Sequence, residues 1–125
     1  MGRSPLSQRE SIALAEYTRE VDPALVLAYH TQGKEIYWQF ENYEVPGARA
    51  LGEEFARLSG YTLAQVAYES GFAGYKDWFI QEFRRPGYTI EAGFGVNPLP
   101  IDQFDEIYRD NLGILVTAAL GLRGI

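Results

Sequence analysis

The stretch Leu25-Val-Leu-Ala-Tyr-His-Thr-Gln-Gly33 decides how the rest of the chain is read. From Ala24 to Tyr29 it is too apolar for a strand with one wet face. Its length and content fit a strand covered on both sides, as in a mostly parallel sheet. It runs out into a small polar turn at His30, the single histidine of the 125 residues. A histidine at a strand end is either a packed or solvent-facing side chain, or a metal ligand or catalytic base.

Elements alternate to either side. Ser7-Gln-Arg-Glu10 fits a capping box, and Leu14, Tyr17 and Val21 share a helical face behind it, with Asp22-Pro23 as the stop. Glu35 to Phe40 reads as a second strand. Pro46 starts a helix with Ala48, Leu51, Phe55 and Leu58 on one face and Gly60 as its cap. Tyr61 to Tyr68 is an ambiguous short strand, and Ser70 to Gly74 a loop. Gly74 to Arg84 reads as a helix whose spacing places Trp78, Phe79 and Phe83 in the core, ended by Pro86-Gly87. Tyr88 to Gly93 is a short β-branched strand. A last helix from Ile101 to about Leu122 is expected to turn Phe104, Ile107, Tyr108 and Leu115 inward. The fold class is α/β, a partial mixed sheet with flanking helices, within one domain over residues 1–125.

Composition narrows the function. Apolar residues make up 46% and aromatics 14%, enough for a core, and the formal charge is −6 without a run of like charges. Nucleic acid and anionic membranes attract basic patches, so neither is expected as a partner. The absence of cysteine removes disulfides, thiolate zinc sites and a cysteine nucleophile. The polar first ten residues lack the apolar core of a signal peptide, and no apolar run reaches the ~20 residues of a membrane helix, so a cytoplasmic location is expected. The glycines of Glu91 to Pro100 lack the full pattern of a phosphate loop and read as a turn. Arg84 and Arg85 sit where a helix C-terminus favours cations.

Two strands thus carry a chemically capable residue, His30 and Glu91. In open α/β sheets, ligands bind beyond the carboxyl ends of strands. A carboxylate between Ile90 and Ala92 would have its pKa raised by burial toward the range of a general base. Ordinary structural roles stand beside this reading for both.

Pro5 to Glu10 opening a helix, Leu25 to Gly33 ending in the histidine, Ala73-Gly-Tyr-Lys-Asp-Trp-Phe79, Tyr88 to Pro100 and a closing helix occur in an order that resembles the C-terminal half of the zinc carboxypeptidase family. The bacterial branch that trims murein peptides, the γ-D-glutamyl-L-diamino acid peptidases, is the most similar. Glu91, fourteen positions after Asp77, fits the family's spacing from its Asp-Trp pair. The resemblance implies the zinc carboxypeptidase fold, with His30 as a zinc ligand and Glu91 as general base. It implies a substrate-contacting tyrosine before the Asp-Trp pair, for which Tyr68 and Tyr75 are candidates and Tyr68 is preferred. It also places Lys76 at the floor of a side-chain pocket that would favour a substrate carboxylate; the plain alternative is a solvent-facing lysine on the first helical turn.

The family's His-x-x-Glu and Asn-Arg motifs are absent from these residues. The resemblance therefore implies hydrolysis of peptides, murein stem peptides among them, by a domain that is incomplete and inactive alone and holds no stoichiometric zinc. A non-catalytic domain that binds a peptide or partner chain, or a fragment without function, are the alternatives. An uncovered sheet edge implies homo-oligomers.

Overall fold

The computed structural model describes residues 3–66 and 74–121. Tyr68 and most of the expected loop around Ser70 lie outside the described residues. The elements run α1 (Arg9–Val21), β1 (Val26–His30), β2 (Glu35–Tyr37), α2 (Ala48–Ser59), β3 (Thr62–Ala64), α3 (Tyr75–Phe83), β4 (Gly87–Glu91) and, after a short 3₁₀ turn (Ile101–Gln103), α4 (Phe104–Gly121). No helix among the described residues is long and apolar enough to cross a membrane.

The four strands form one mixed sheet in the order β1-β4-β2-β3. β1 and β4 are parallel, β2 and β3 are parallel, and β2 runs antiparallel to β4. The α/β class and the mixed sheet expected from the sequence are both present.

The two faces of the sheet are covered differently, and β4 shows how. A Cβ built on Gly87 would meet Phe79 of α3 at 3.3 Å, so that residue faces α3. Tyr88, next along, points to the other side, where its hydroxyl donates to the Ala48 carbonyl of α2 at 2.6 Å and its ring meets Phe55 edge-on. Ile36, Phe55, Tyr88, Ile90 and Ile114 are fully buried on this α2–α4 side. Strand alternation then assigns Gly87, Thr89 and Glu91 to the α3 face, and Tyr88 and Ile90 to the core face. α3 packs on β1 and β4.

Gly60 ends α2 as expected, in the left-handed conformation at φ 74°, which a residue without Cβ adopts readily. Four other expectations are corrected. The Ser7 capping box does not form: Gln8 is the N-cap and no side chain caps the helix. Leu14, Tyr17 and Val21 are exposed, and α1 instead buries Ala15 and Thr18. It is held to α3 by polar contacts: Thr18 Oγ1 lies 2.9 Å from Tyr75 Oη, Arg19 pairs with Glu82 at 3.3 Å and lies over the Trp78 ring, and Arg85 binds Asp22 at 2.7 Å. In α4, only Ile107 of the four residues expected inward packs against the core. Phe104, Tyr108 and Leu115 are exposed, and Asn111, Ile114 and Ala118 are buried in their place. The second strand is also shorter than expected, because the ladder ends at Tyr37.

The start of α3 is fixed by an ion pair inside the protein. Lys76 is 2% exposed; its ammonium pairs with the Asp77 carboxylate and donates to the Gln39 carbonyl at 2.7 Å. Removing one member of such a pair leaves the other charge buried and unmatched. Lys76→Met is therefore expected to destabilise the chain by about 3 kcal/mol, read from urea unfolding. A loss under about 0.5 kcal/mol, typical of a surface position, would contradict the pairing.

Candidate active site at the strand ends

The register of the sheet builds the site. His30 of β1 lies opposite Glu91 of β4, and Glu35 of β2 lies opposite Glu91 from the other side. Directly paired residues point to the same face. Three ionisable side chains from three strands therefore project together on the α3 face, beyond the part that α3 covers. His30 and Glu91 are each the last residue of their strand, at the carboxyl ends of a parallel pair. Crevices at such ends are where open α/β sheets bind ligands.

The loops leaving the two strands are tied to each other. The Ala92 amide donates to the His30 carbonyl at 2.9 Å, and the Gly33 and Lys34 amides both donate to the Gly93 carbonyl, at 2.9 and 3.2 Å. Thr31 Oγ1 donates to Asn97 Oδ1 at 2.9 Å, and Asn97 Nδ2 returns a bond to the Thr31 carbonyl at 3.1 Å. From below, the hydroxyl of buried Tyr61 accepts from the Gly93 amide at 3.4 Å and from Asn111 Nδ2 at 3.0 Å. Glycine is favoured at 93: φ is +75°, a strained conformation for other residues, and a Cβ there would lie 2.5 Å from the end of the Leu99 side chain and 2.9 Å from that of Ile107.

Burial raises the Glu91 carboxyl above its ordinary value; His30 opposes this and Glu35 adds to it. Glu35 is oriented by Tyr37, whose hydroxyl donates to it at 2.6 Å. That bond, together with burial and the nearby carboxylates, pushes the Tyr37 phenol up to about 12, so it stays a donor. The arrangement is a partly desolvated carboxylate of raised basicity, an exposed imidazole one strand away, and a second carboxylate held in place. It suits proton transfer with water or a substrate group.

It does not by itself make a zinc site. A catalytic zinc takes three protein ligands plus water. Glu91 separates His30 from Glu35, which puts those two backbones two strand spacings, roughly 10 Å, apart. Among the described residues no three His, Cys, Asp or Glu side chains are grouped to hold a metal ion. The described donors do not fit a complete site.

The other residues singled out from the sequence lie elsewhere. Lys76 is neither solvent-facing nor free at a pocket floor: Asp77 and the Gln39 carbonyl already take its ammonium, and a substrate carboxylate would have to compete with them. Tyr75, the second tyrosine candidate, has its hydroxyl engaged with Thr18 at the α1–α3 contact. Of the three aromatics assigned to the core, Phe79 is fully buried, while Trp78 and Phe83 are half-buried around it.

Glu35 and Tyr37 were not singled out. The alternation of Glu35, Ile36 and Tyr37 puts the two polar side chains on one face, but which face meets Glu91 depends on pairing with β4, a strand more than fifty residues away. Tyr61 and Asn111 carried no signal; an asparagine in an apolar helix gives no hint of its partner.

No family model matches the chain. It is 56% identical over 115 residues to γ-D-glutamyl-L-diamino acid endopeptidase 1 of Lysinibacillus sphaericus, covering 92% of this chain and 28% of that protein. It is 45% identical over 114 residues to the uncharacterised protein YqgT of Bacillus subtilis strain 168, covering 91% of this chain and 30% of that one. The chain spans less than a third of the length of these curated relatives. Among solved structures, bovine thrombin-activatable fibrinolysis inhibitor, in complex with tick carboxypeptidase inhibitor, superposes with a TM-score of 0.79 at 16% identity, over 99% of this chain and 49% of that one. The described fold is thus similar to half of the chain of a carboxypeptidase-type structure, and in sequence the chain is a relative of a γ-D-glutamyl-L-diamino acid endopeptidase.

Proposed function

We propose that this chain is the general-base half of a peptidase domain whose substrates are peptides of the murein stem class. The observation that carries the reading is the pairing of His30 with Glu91 across two parallel strand ends. Glu91 takes a proton from the attacking water and passes it to the leaving amine, so that C–N cleavage is matched by C–O formation and proton balance is kept. Its raised basicity suits that task, since a base works best with a pKa near the operating pH. His30 is proposed as one zinc-ligand position of the complete fold, with the remaining ligands supplied from outside these residues. Support for the substrate class comes from the relative named for cleavage beside a diamino acid.

The experiment is a chimera of the Lysinibacillus sphaericus relative in which this chain replaces the matched segment. It is expected to cleave a γ-D-glutamyl-diamino acid peptide. Glu91→Gln in that chimera is expected to lower kcat by about 10²–10⁴-fold with KM little changed. A Glu91→Gln chimera as active as its parent would end the reading. The 125-residue chain alone is expected to retain well under one equivalent of zinc after dialysis and to show no peptidase activity, by elemental analysis and the same assay.

A site tuned this way costs stability, and the sign follows from the shift. Glu91 holds its proton more tightly folded than unfolded, so its ionised form opposes folding at neutral pH. The opposition fades as pH falls from the raised folded value toward the ordinary 4.5, and is gone below it. Glu91→Gln is thus expected to melt at a higher temperature than the parent at neutral pH, with the gap closing in acid. A variant less stable than the parent at neutral pH would show that the carboxylate is held by favourable partners instead.

A further inference from the structure

Glu91 and His30 both have parts in the proposed reaction, and Glu35 has none. It is half-buried on β2, opposite Glu91 and on the side away from His30. Its Oε2 accepts from the Tyr37 hydroxyl at 2.6 Å and lies 3.5 Å from where a Cβ on Gly33 would stand. Tyr37 therefore fixes the carboxylate from one side, and among the described residues no donor is bonded to Oε1.

Like charges directly opposite each other on neighbouring strands destabilise a sheet. Glu35 and Glu91 are such a pair, and the chain offers them little relief. Its two lysines are engaged elsewhere: Lys34 with Glu106 and Asp110, and Lys76 with Asp77 and the Gln39 carbonyl. The arginine ion pairs of the described residues go to Glu82, Glu53, Glu54 and Asp22. His30 is one strand beyond Glu91. A carboxylate that is held in place, accepts only, and has no cation of its own fits a cation brought by the ligand.

The proposed reaction says where that cation comes from. Glu91 passes its proton to the leaving amine, so the residue that carries this amine lies against Glu91. In a γ-D-glutamyl-diamino acid bond the leaving residue is the diamino acid, and its second amine is an ammonium at neutral pH. A side chain of lysine length spans the single strand spacing, about 4.8 Å, between the backbones of Glu91 and Glu35. We infer that Glu35 selects the leaving residue: its carboxylate, held by Tyr37, accepts through Oε1 from the side-chain ammonium of a diamino acid. The inference rests on the reading of Glu91 as the base that serves the leaving amine. An uncharged side chain of the same length would leave the two carboxylates facing each other unrelieved.

The test uses the chimera with the Lysinibacillus sphaericus relative and peptides in which γ-D-glutamate is followed by L-lysine, diaminopimelate or L-norleucine. Norleucine has a lysine-like chain without the ammonium. The better of the two diamino peptides identifies the source of the ammonium. Its kcat/KM is expected to exceed that of the norleucine peptide by at least about tenfold, the scale of one charge-assisted hydrogen bond. Glu35→Gln keeps the shape and an acceptor for Tyr37, and is expected to lower that ratio by at least about tenfold. Binding is read separately by calorimetry in the Glu91→Gln chimera, with Glu35 intact. The same preference is expected there in Kd, and adding Glu35→Gln is expected to remove it. If Glu91→Gln cleaves as well as its parent, the reading of Glu91 as base fails, while the peptide ratios still decide the role of Glu35. The inference is overturned if diamino and norleucine peptides bind alike, or if Glu35→Gln lowers kcat/KM for both by the same factor.

Discussion

The parallel ladder between β1 and β4 is the constraint from which the rest follows. It pairs five residues of each strand, from Val26 with Gly87 to His30 with Glu91. A slip of one residue would turn every side chain of the moved strand to the opposite face. The same register that buries Tyr88 and Ile90 against α2 and α4 therefore brings the two candidate catalytic residues together. Stability and site geometry share one determinant: the core cannot be packed correctly with His30 and Glu91 apart.

What the sequence made legible was the part fixed by local chemistry. The apolar run before His30, Gly60 at the end of α2 and the short β-branched strand around Ile90 each carry their signal within a few residues, and each element is present. The faces of α1 and α4 were not legible, for a physical reason. Periodicity finds an apolar stripe but cannot say what the stripe meets. On α4 the row Phe104, Tyr108, Leu112 and Val116 is apolar at helical spacing and exposed, while the buried side presents Asn111, Ile114 and Ala118. An apolar stripe at helical spacing can thus face away from the local core. The site was half legible. His30 and Glu91 stood out as chemically capable residues at strand ends, whereas Glu35 enters only through antiparallel pairing of β2 with β4.

Lys76 shows how a motif position can be occupied without its side chain being available. Its place before Asp77-Trp78 suggested a group aimed at substrate, yet the structure satisfies its charge within the α3 first turn and the Gln39 carbonyl. The neighbouring carboxylates differ in the same respect. Asp77 is neutralised by a buried partner. Glu91 is next to His30 on one side and a like charge on the other, and burial outweighs the imidazole. Two acids in one small domain thus take opposite electrostatic roles through their neighbours alone.

The Gly93 peptide has a mechanical consequence. Its carbonyl is shared by two amides from the loop after β1, and its amide is anchored to a tyrosine that α4 holds through Asn111. The loop after His30 and the loop after Glu91 therefore have no independent hinge at this point. They are tied into one unit whose anchor, Tyr61, lies in the core on the far side of the sheet from His30 and Glu91. Movement of either loop at this point would strain bonds that reach through Tyr61 to α4.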